Sequence, residues 1–325
     1  MFASLKLKSN RKFTRNVVII AFAAILALAL SLIVFGSRGG EKPVNTAAVI
    51  QKSEKDDVIK LTWLGCASFK IVCGEATFWT DPFITMSKDA DHITTAETFD
   101  GIDNILISHG HFDHLMNVPE FSRTHDIRVY CSKVPRYTLL KQGVPDEQIM
   151  LSTPGDTFKI GDATIRVYDG EHNIPDWQMT MGAVLRTISS FRAIGDFFSI
   201  MTEHVRYPEL DETTIFEINA DGRRVLFMGS LGLRENAQQP KMGADLLILP
   251  YNGLSDPSEI SLSIVEKLRP KALLIGHHDN AIPPLTTDLT QELDGFIEQM
   301  REKHPEIPVV VPEFGVELTI SEIVK

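Results

Sequence analysis

The sequence predicts an α+β protein in which two β-sheets pack face to face and helices cover their outer sides. Short β-rich runs dominate each half of the chain, with helical patterns between them. The 325 residues, 43% of them hydrophobic, suffice for one large core with about 40 to 60 residues left over. No internal repeat or low-complexity tract interrupts residues 58–325.

The elements follow in order. Ile59–Leu64, Ser68–Val72, Ala76–Trp79 and Asn104–Ser108 are predicted strands, each rich in β-branched or aromatic residues and bounded by turn residues. Asn117–Ser122 and Pro135–Gln142 read as short helices, with a strand at Arg128–Cys131 between them. Thr157–Ile160 and Thr164–Asp169 make a hairpin across Gly161-Asp162. Thr214–Asn219 and Arg224–Met228 flank Asp221-Gly222, a dipeptide suited to the positive φ angles of a tight hairpin. Leu246–Leu249 and Ala272–Ile275 are buried-strand runs on either side of a helix at Pro257–Leu268. Asp256 offers that helix an N-cap, and Pro257 its first position. Leu289–Lys303 has helical amphipathicity, and Val309–Val311 with Gly315–Ile320 returns to strand.

The most informative segment is Ser108–Leu115, where His109-x-His111-x-Asp113-His114 follows the strand-like run Ile102–Ile107. Neutral imidazoles and carboxylates suit zinc and related divalent ions. His109 and His111, two apart on an extended end, can face one ion. Asp113 and His114, one turn on, can face a neighbouring position. A desolvated cluster of four such groups is costly unless a metal or a network satisfies it.

This HxHxDH run resembles the signature of the metallo-β-lactamase-fold hydrolases. Leu61-Thr-Trp-Leu-Gly-Cys-Ala-Ser-Phe69, followed by Thr80-Asp81-Pro82, looks like the opening hairpin of one branch. That branch includes ascorbate-phosphate lactonase-like and N-acyl-phosphatidylethanolamine phospholipase D-like enzymes. The resemblance runs from about Val58 to the C-terminus and implies an αββα sandwich. It also implies a first metal on His109, His111 and a third histidine, and a second on Asp113, His114 and a last histidine. His172, after the predicted strand ending at Asp169, stands where the third belongs. His277 fits the last better than its neighbour His278, which becomes a site-lining candidate. The family's bridging aspartate is replaced by Ser230 in Gly229-Ser230, a neutral and poor ligand, so the second position is expected to bind weakly, take a different metal or stay empty. Cys66 stands where many relatives of this branch carry a histidine, which would bring a thiol near the site. Metal-bound histidines usually donate their other N–H to a carboxylate or carbonyl, and Asp81 is the first candidate for that role, ahead of Asp245 and Asp279. His92, His125, His204 and His304 read as surface residues.

The chemistry that follows is hydrolysis by a metal-bound hydroxide on an ester, lactone or phosphodiester, with Asp113 orienting the nucleophile or taking its proton. Zinc is the expected cofactor, as one or two ions, with manganese or iron as alternatives. The long stretch Ile174–Tyr207 carries Trp177, Met179, Met181, Phe191, Phe197, Phe198 and Met201. It reads as a pocket wall or lipid-touching surface, or as ordinary helix packed on the core. The expected substrate is a small molecule or lipid-like. With serine in place of the bridging aspartate, a metal-binding protein with reduced catalysis is an alternative, and an anchored interaction module is another.

Residues 1–15 carry Lys6, Lys8, Arg11, Lys12 and Arg15 and no acid, and Val17–Phe35 is a 19-residue uncharged run. Such a run about spans a bilayer as a helix, and its basic flank stays cytoplasmic. Residues 16–35 are therefore expected to be a single-pass signal anchor rather than a cleaved signal, whose apolar core is usually about 7–15 residues. Residues 36–57 are then a linker and 58–325 an extracytoplasmic hydrolase domain at the cell membrane. The chain's net charge is −11, and the first 35 residues hold five of its 32 basic residues and none of its 43 acidic ones. The remaining −16 argues against nucleic acid as a partner. Three cysteines, Cys66, Cys73 and Cys131, imply no disulfide framework. A Cys66–Cys73 pair or three small buried hydrophobes both fit.

Overall fold

A computed structural model describes residues 59–207 and 212–324. The basic segment, the expected anchor and the linker lie outside these residues. Among the described residues no helix is long and apolar enough to cross a membrane.

Among the described residues, fourteen strands form two seven-stranded sheets. The first runs β14-β1-β2-β3-β4-β5-β6, with β1 at Ile59–Trp63, β2 at Phe69–Cys73, β3 at Ala76–Thr80, β4 at Asn104–Leu106, β5 at Arg128–Cys131, β6 at Ile149–Leu151 and β14 at Glu317–Thr319. The second runs β13-β12-β11-β10-β9-β8-β7, with β7 at Thr157–Ile160, β8 at Ala163–Gly170, β9 at Thr213–Ala220, β10 at Arg223–Met228, β11 at Leu246–Pro250, β12 at Leu273–Gly276 and β13 at Val309–Val310. Each sheet is antiparallel through its hairpins and parallel beyond them. In the first, β3, β4, β5 and β6 are parallel neighbours; in the second, β10, β11, β12 and β13 are.

Alternation along the strands builds the layers, since successive side chains point to opposite faces. Val225 and Phe227 of β10, Ile248 of β11 and Leu274 of β12 face Leu61, Phe69, Ile71 and Phe78 of the other sheet. Their neighbours Leu226, Leu247, Leu249 and Ile275 face outward, against α6 (Ser258–Leu268) and α7 (Thr290–Lys303) through Val265, Leu268 and Phe296. On the far side, Trp79, Ile105 and Ile107 pack against α1 (Phe112–Leu115), α2 (Val118–Thr124) and α3 (Lys133–Lys141) through Leu115, Phe121 and Leu139. The result is the αββα sandwich that the patterning predicts.

Some boundaries move. The helix expected from Pro257 begins at Ser258, because Pro257 itself is the cap residue and the Asp256 carboxylate accepts from the Ser258 N–H at 2.9 Å. Strand β6 is short and its exposed Leu151 breaks any alternation, which hid it in the sequence. Ile174–Tyr207 forms two helices, α4 (Trp177–Thr187) and α5 (Phe191–Arg206), capped by the side chains of Asp176 and Ser190. A short α8 (Ile320–Ile323) closes the described chain.

Candidate metal centre

Strands β3 and β4 are parallel, as are β8, β10, β11 and β12 through β9, so their carboxyl ends emerge along one edge of the sandwich. Every predicted ligand sits on a segment leaving that edge, Asp113 and His114 within the short helix α1 and the others on loops. The two sheets are tied together there by a bridge between His109 and Thr213 and by the Thr214 N–H donating to the Ser108 carbonyl at 2.8 Å.

His109, His111 and His172 come together, with one nitrogen of each within 4.8 Å of the others. His109 Nε2 lies 3.2 Å from His111 Nδ1. Two nitrogens about 2.0–2.1 Å from a tetrahedral zinc ion would be about 3.3 Å apart, so the donors fit such an ion. The buried His109 ring is held well below the ordinary imidazole range, first by burial and then by His114, His111 and His172. It is thus neutral, the state a ligand needs.

A second set lies alongside. Asp113 Oδ2 is 3.3 Å from His114 Nε2 and 3.4 Å from His277 Nε2. Burial would raise the Asp113 pKa, but His114 and His277 hold it well below the usual carboxylate range. Burial would lower His114, yet Asp113 and Asp81 on either side push it up to about 10.

Asp81 supports both sets. Its carboxylate accepts from the Ser108 N–H at 2.8 Å, the Ser108 hydroxyl at 2.6 Å and His114 Nδ1 at 2.8 Å. Ser108 Oγ in turn lies 2.9 Å from His109 Nδ1. With the hydroxyl proton given to Asp81, Ser108 accepts from His109 Nδ1–H, and His109 Nε2 is left as a lone-pair donor. Gly229 makes this close approach feasible. A Cβ there would land on the Ser108 hydroxyl and 2.7 Å from Asp81.

The remaining sequence candidates separate. His277 faces Asp113, whereas His278 turns away and stacks on Trp63 at 4.5 Å, with burial pushing its pKa down to about 4. Ser230 donates to Asn173 Oδ1 at 2.9 Å. Asp279 holds the Cys66 backbone N–H at 3.1 Å, and Asp245 pairs with Lys271 away from the site. Cys66, Cys73 and Cys131 are free and buried, so no Cys66–Cys73 disulfide forms. His92 is not a plain surface residue: it stacks on Phe314 at 4.7 Å. His204 lines the cavity, its ring 6.2 Å from His111. Asn173 and Asn252, the latter 3.2 Å from His277 Nδ1, also line it. Sequence reasoning passed over both, and their only signal is position two or three residues after a strand end.

The donors form the floor of a cavity of about 400 Å³. Its walls include Phe112, Ile174, Pro175, Met179, Ile282 and Leu285, and Asp113 is the one carboxylate among the described residues that line it. Lysine and arginine are absent from that described lining.

Known proteins agree with this architecture. Residues 60–277 match the family model described as "Beta-lactamase superfamily domain". A UPF0173 metal-dependent hydrolase of Halobacterium salinarum is 31% identical over 114 residues, covering 35% of this chain and 44% of that protein. One from Koribacter versatilis is 30% identical over 116 residues, covering 35% and 48%. The chain therefore spans less than half the length of these relatives. Among solved structures, Igni18, a metallo hydrolase from Ignicoccus hospitalis, superposes with a TM-score of 0.54 at 21% identity over 80% of this chain and 97% of that one. CmlA, a diiron β-hydroxylase from Streptomyces venezuelae, gives 0.51 at 15% identity over 83% and 55%; at such identities the likeness is one of fold. The motif, the two sheets and the match over residues 60–277 place this chain in the beta-lactamase superfamily domain family.

Proposed function

We propose that this protein is a metal-dependent hydrolase acting on an ester, lactone or phosphodiester. The observation that carries the reading is the convergence of His109, His111, His172, Asp113, His114 and His277 on the floor of one apolar-walled cavity. His109, His111 and His172 would hold the first ion, with Asp113, His114 and His277 beside a second position. A bound divalent ion, zinc in our reading, supplies Lewis acidity to the substrate oxygen and acidifies water. The hydrolase names of the sequence relatives support the class, while the diiron neighbour indicates that this fold does not dictate the metal.

The chain's own groups do the rest. Ser108 fixes the His109 tautomer, and Asp81 holds the Nδ1–H of His114, whose Nε2 becomes a lone-pair donor once an ion displaces its second proton. Asp113, the one carboxylate in the described lining, orients the attacking water and accepts its proton when no second ion occupies it; with that ion bound it serves as a ligand. Phe112, Ile174, Met179, Ile282 and Leu285 exclude bulk water and receive an acyl or alkyl portion. Arg186 donates to the carbonyls of Pro284 and Leu285 at 3.0 Å each, pinning α4 to that wall. With no lysine or arginine in the described lining, charge on the substrate must be met by the ion, which suits a neutral ester or a singly charged diester better than a phosphomonoester.

The finer reading adds a membrane setting. The uncharged run at residues 17–35 with its basic flank supports an anchor, and exposed Ile174, Trp177, Phe191, Phe198 and Val205 on and beside α4–α5 support a lipid-like substrate. Metal content by mass spectrometry, with hydrolysis of a generic phosphodiester and a generic lactone, tests the reaction. Bound metal with turnover that His111→Ala abolishes is the expected result. Absence of bound metal after supply of zinc, manganese or iron refutes it. Metal without turnover would favour the catalytically reduced form that Ser230 suggests.

A further inference from the structure

We propose that Cys66 is a metal ligand: its thiolate joins Asp113 and His277 in a second ion site that selects thiophilic divalent ions. The inference rests on the metal-dependent reading above and gives its second position a ligand set and a preference.

Distances carry the argument. Cys66 Sγ lies 3.6 Å from His277 Nε2 and 3.8 Å from Asp113 Oδ2, and these two are 3.4 Å apart. An ion with a metal–sulfur bond of about 2.3 Å and metal–nitrogen and metal–oxygen bonds of about 2.0–2.1 Å would, if tetrahedral, space those donors about 3.3–3.6 Å apart. Each side of the observed triangle lies within about 0.3 Å of that. All three residues are buried, and their donor atoms converge. Cys73 and Cys131 are buried within the apolar clusters of strands β2 and β5; Cys66 belongs to the second of these clusters too, but its Sγ also reaches Asp113 and His277.

The backbone holds Cys66 in place at some cost. Cys66 and His277 both have left-handed φ, +49° and +50°, which L-residues with a Cβ adopt only when the surroundings over-determine them. Here they are over-determined. The His277 N–H donates to the Cys66 carbonyl at 2.8 Å, Trp63 Nε1 donates to the same carbonyl at 2.9 Å, and the Cys66 N–H is held by Asp279. This clamp joins the β1–β2 turn to the end of β12 and aims one residue of each at Asp113. A thiol packed merely as a small hydrophobe would need no such clamp.

Burial, Asp113 and Asp279 hold the Cys66 thiol well above its usual range, so the thiolate forms only with an ion bound. Ser230 brings no charge to the site and is turned to Asn173. A dication between Asp113 and a Cys66 thiolate is neutralised, the thiol proton leaving to solvent as sulfur binds. The first set is three histidines, which bind a metal as neutral imidazoles. The two positions therefore differ in softness, and the sulfur-bearing one should prefer zinc, cobalt or cadmium to manganese or magnesium.

The test is cobalt(II) loading of the full chain, followed by absorption spectroscopy and metal counting. The wild type should show a near-ultraviolet sulfur-to-cobalt charge-transfer band. Cys66→Ser should lose it together with about one ion per chain. A Cys73→Ser/Cys131→Ser variant should keep it, which assigns the sulfur without touching the site. His172→Ala should weaken the first set and leave the band. Cobalt bound by the wild type with no such band, or a band that survives Cys66→Ser, overturns the proposal and leaves the hydrolase reading standing. A wild type that binds no metal at all refutes both.

Discussion

Replacing Asp81 by asparagine exchanges one oxygen for an NH₂ and should disarm both ligand sets at once. Asparagine tolerates a left-handed backbone, so the φ of +38° at this position is not the source of the effect. The substituted amide can keep its one oxygen on the Ser108 N–H. Its nitrogen then faces two groups that now donate to Asp81, the Ser108 hydroxyl and His114 Nδ1. To avoid opposing donors, Ser108 must accept from the amide and turn its own proton toward His109 Nδ1. His109 then carries its proton on Nε2, the atom facing His111, and His114, whose Nδ1 now meets a donor, keeps its proton on Nε2 beside Asp113. Loss of one such supporting partner typically costs about 10–100-fold in metal affinity. Because Asp81 supports two rings, the upper part of that range is expected, about 2.8 kcal/mol per hundredfold. The opposite rotamer leaves the Ser108 N–H, buried with Asp81, facing a donor, at about 1–3 kcal/mol of stability. Competition with a chromophoric chelator measures the affinity, and urea unfolding with metal removed measures the stability. A folded Asp81→Asn protein that binds metal within about twofold of wild type, where the supporting-partner range begins near tenfold, would refute the tautomer argument.

Gly229→Ala places a Cβ on the Ser108 hydroxyl. It should destabilise by about 1–3 kcal/mol or more, and metal counting should show weakened binding, because Ser108 must move. Leu274→Ala, in the interface between the sheets, should cost about 2–5 kcal/mol in urea unfolding with metal stoichiometry unchanged, since the core cluster it belongs to contains none of the ligands. At Asp245, burial opposes ionisation, but Lys271 at 2.8 Å, the Arg224 N–H and Arg223 hold the carboxyl below its usual range. A carboxylate depressed in the fold contributes stability above its unfolded pKa of about 3.9 and loses it as pH falls through the folded value. Asp245→Asn should therefore be less stable than wild type at neutral pH, with the difference shrinking in acid. A gap that widens in acid would reverse the assigned sign.

The sandwich was legible because strand periodicity and core-facing alternation are local properties, and Val225–Met228 or Leu246–Leu249 declare both faces unaided. Strand β6 was not, since three residues with one exposed leucine carry no period. Site residues were legible where the motif is contiguous. Choosing His277 over His278 rested on the family resemblance, which places a histidine at that strand end, and the two rings do leave the backbone in different directions, one toward Asp113 and one onto Trp63. His92 and His204 show the limit. Each sits among polar neighbours in sequence, yet one stacks on Phe314 and the other lines the cavity, because distant segments pack against them. Asn173 and Asn252 carry no residue-type signal for a metal, and only the meeting of β8 and β11 at one edge reveals them.

Why the donors sit at that edge follows from the strand directions. In a parallel pair the carboxyl ends lie side by side, so loops leaving β3 and β4, or β10, β11 and β12, emerge together. Packing two such half-parallel sheets face to face brings the loops of one against those of the other, and the HxHxDH segment enters between them. A hairpin-only sheet would scatter consecutive strand ends to opposite edges and leave Asp113 and His277 far apart. Asp81 closes the arrangement: it directly follows β3, beside β4 and the HxHxDH segment that leaves it, and its hydrogen bonds reach both the histidine set and the carboxylate set. Both ligand sets thus depend on one strand register, Thr80 against Leu106, and a slip by one residue there would turn Asp81 away from Ser108 and His114.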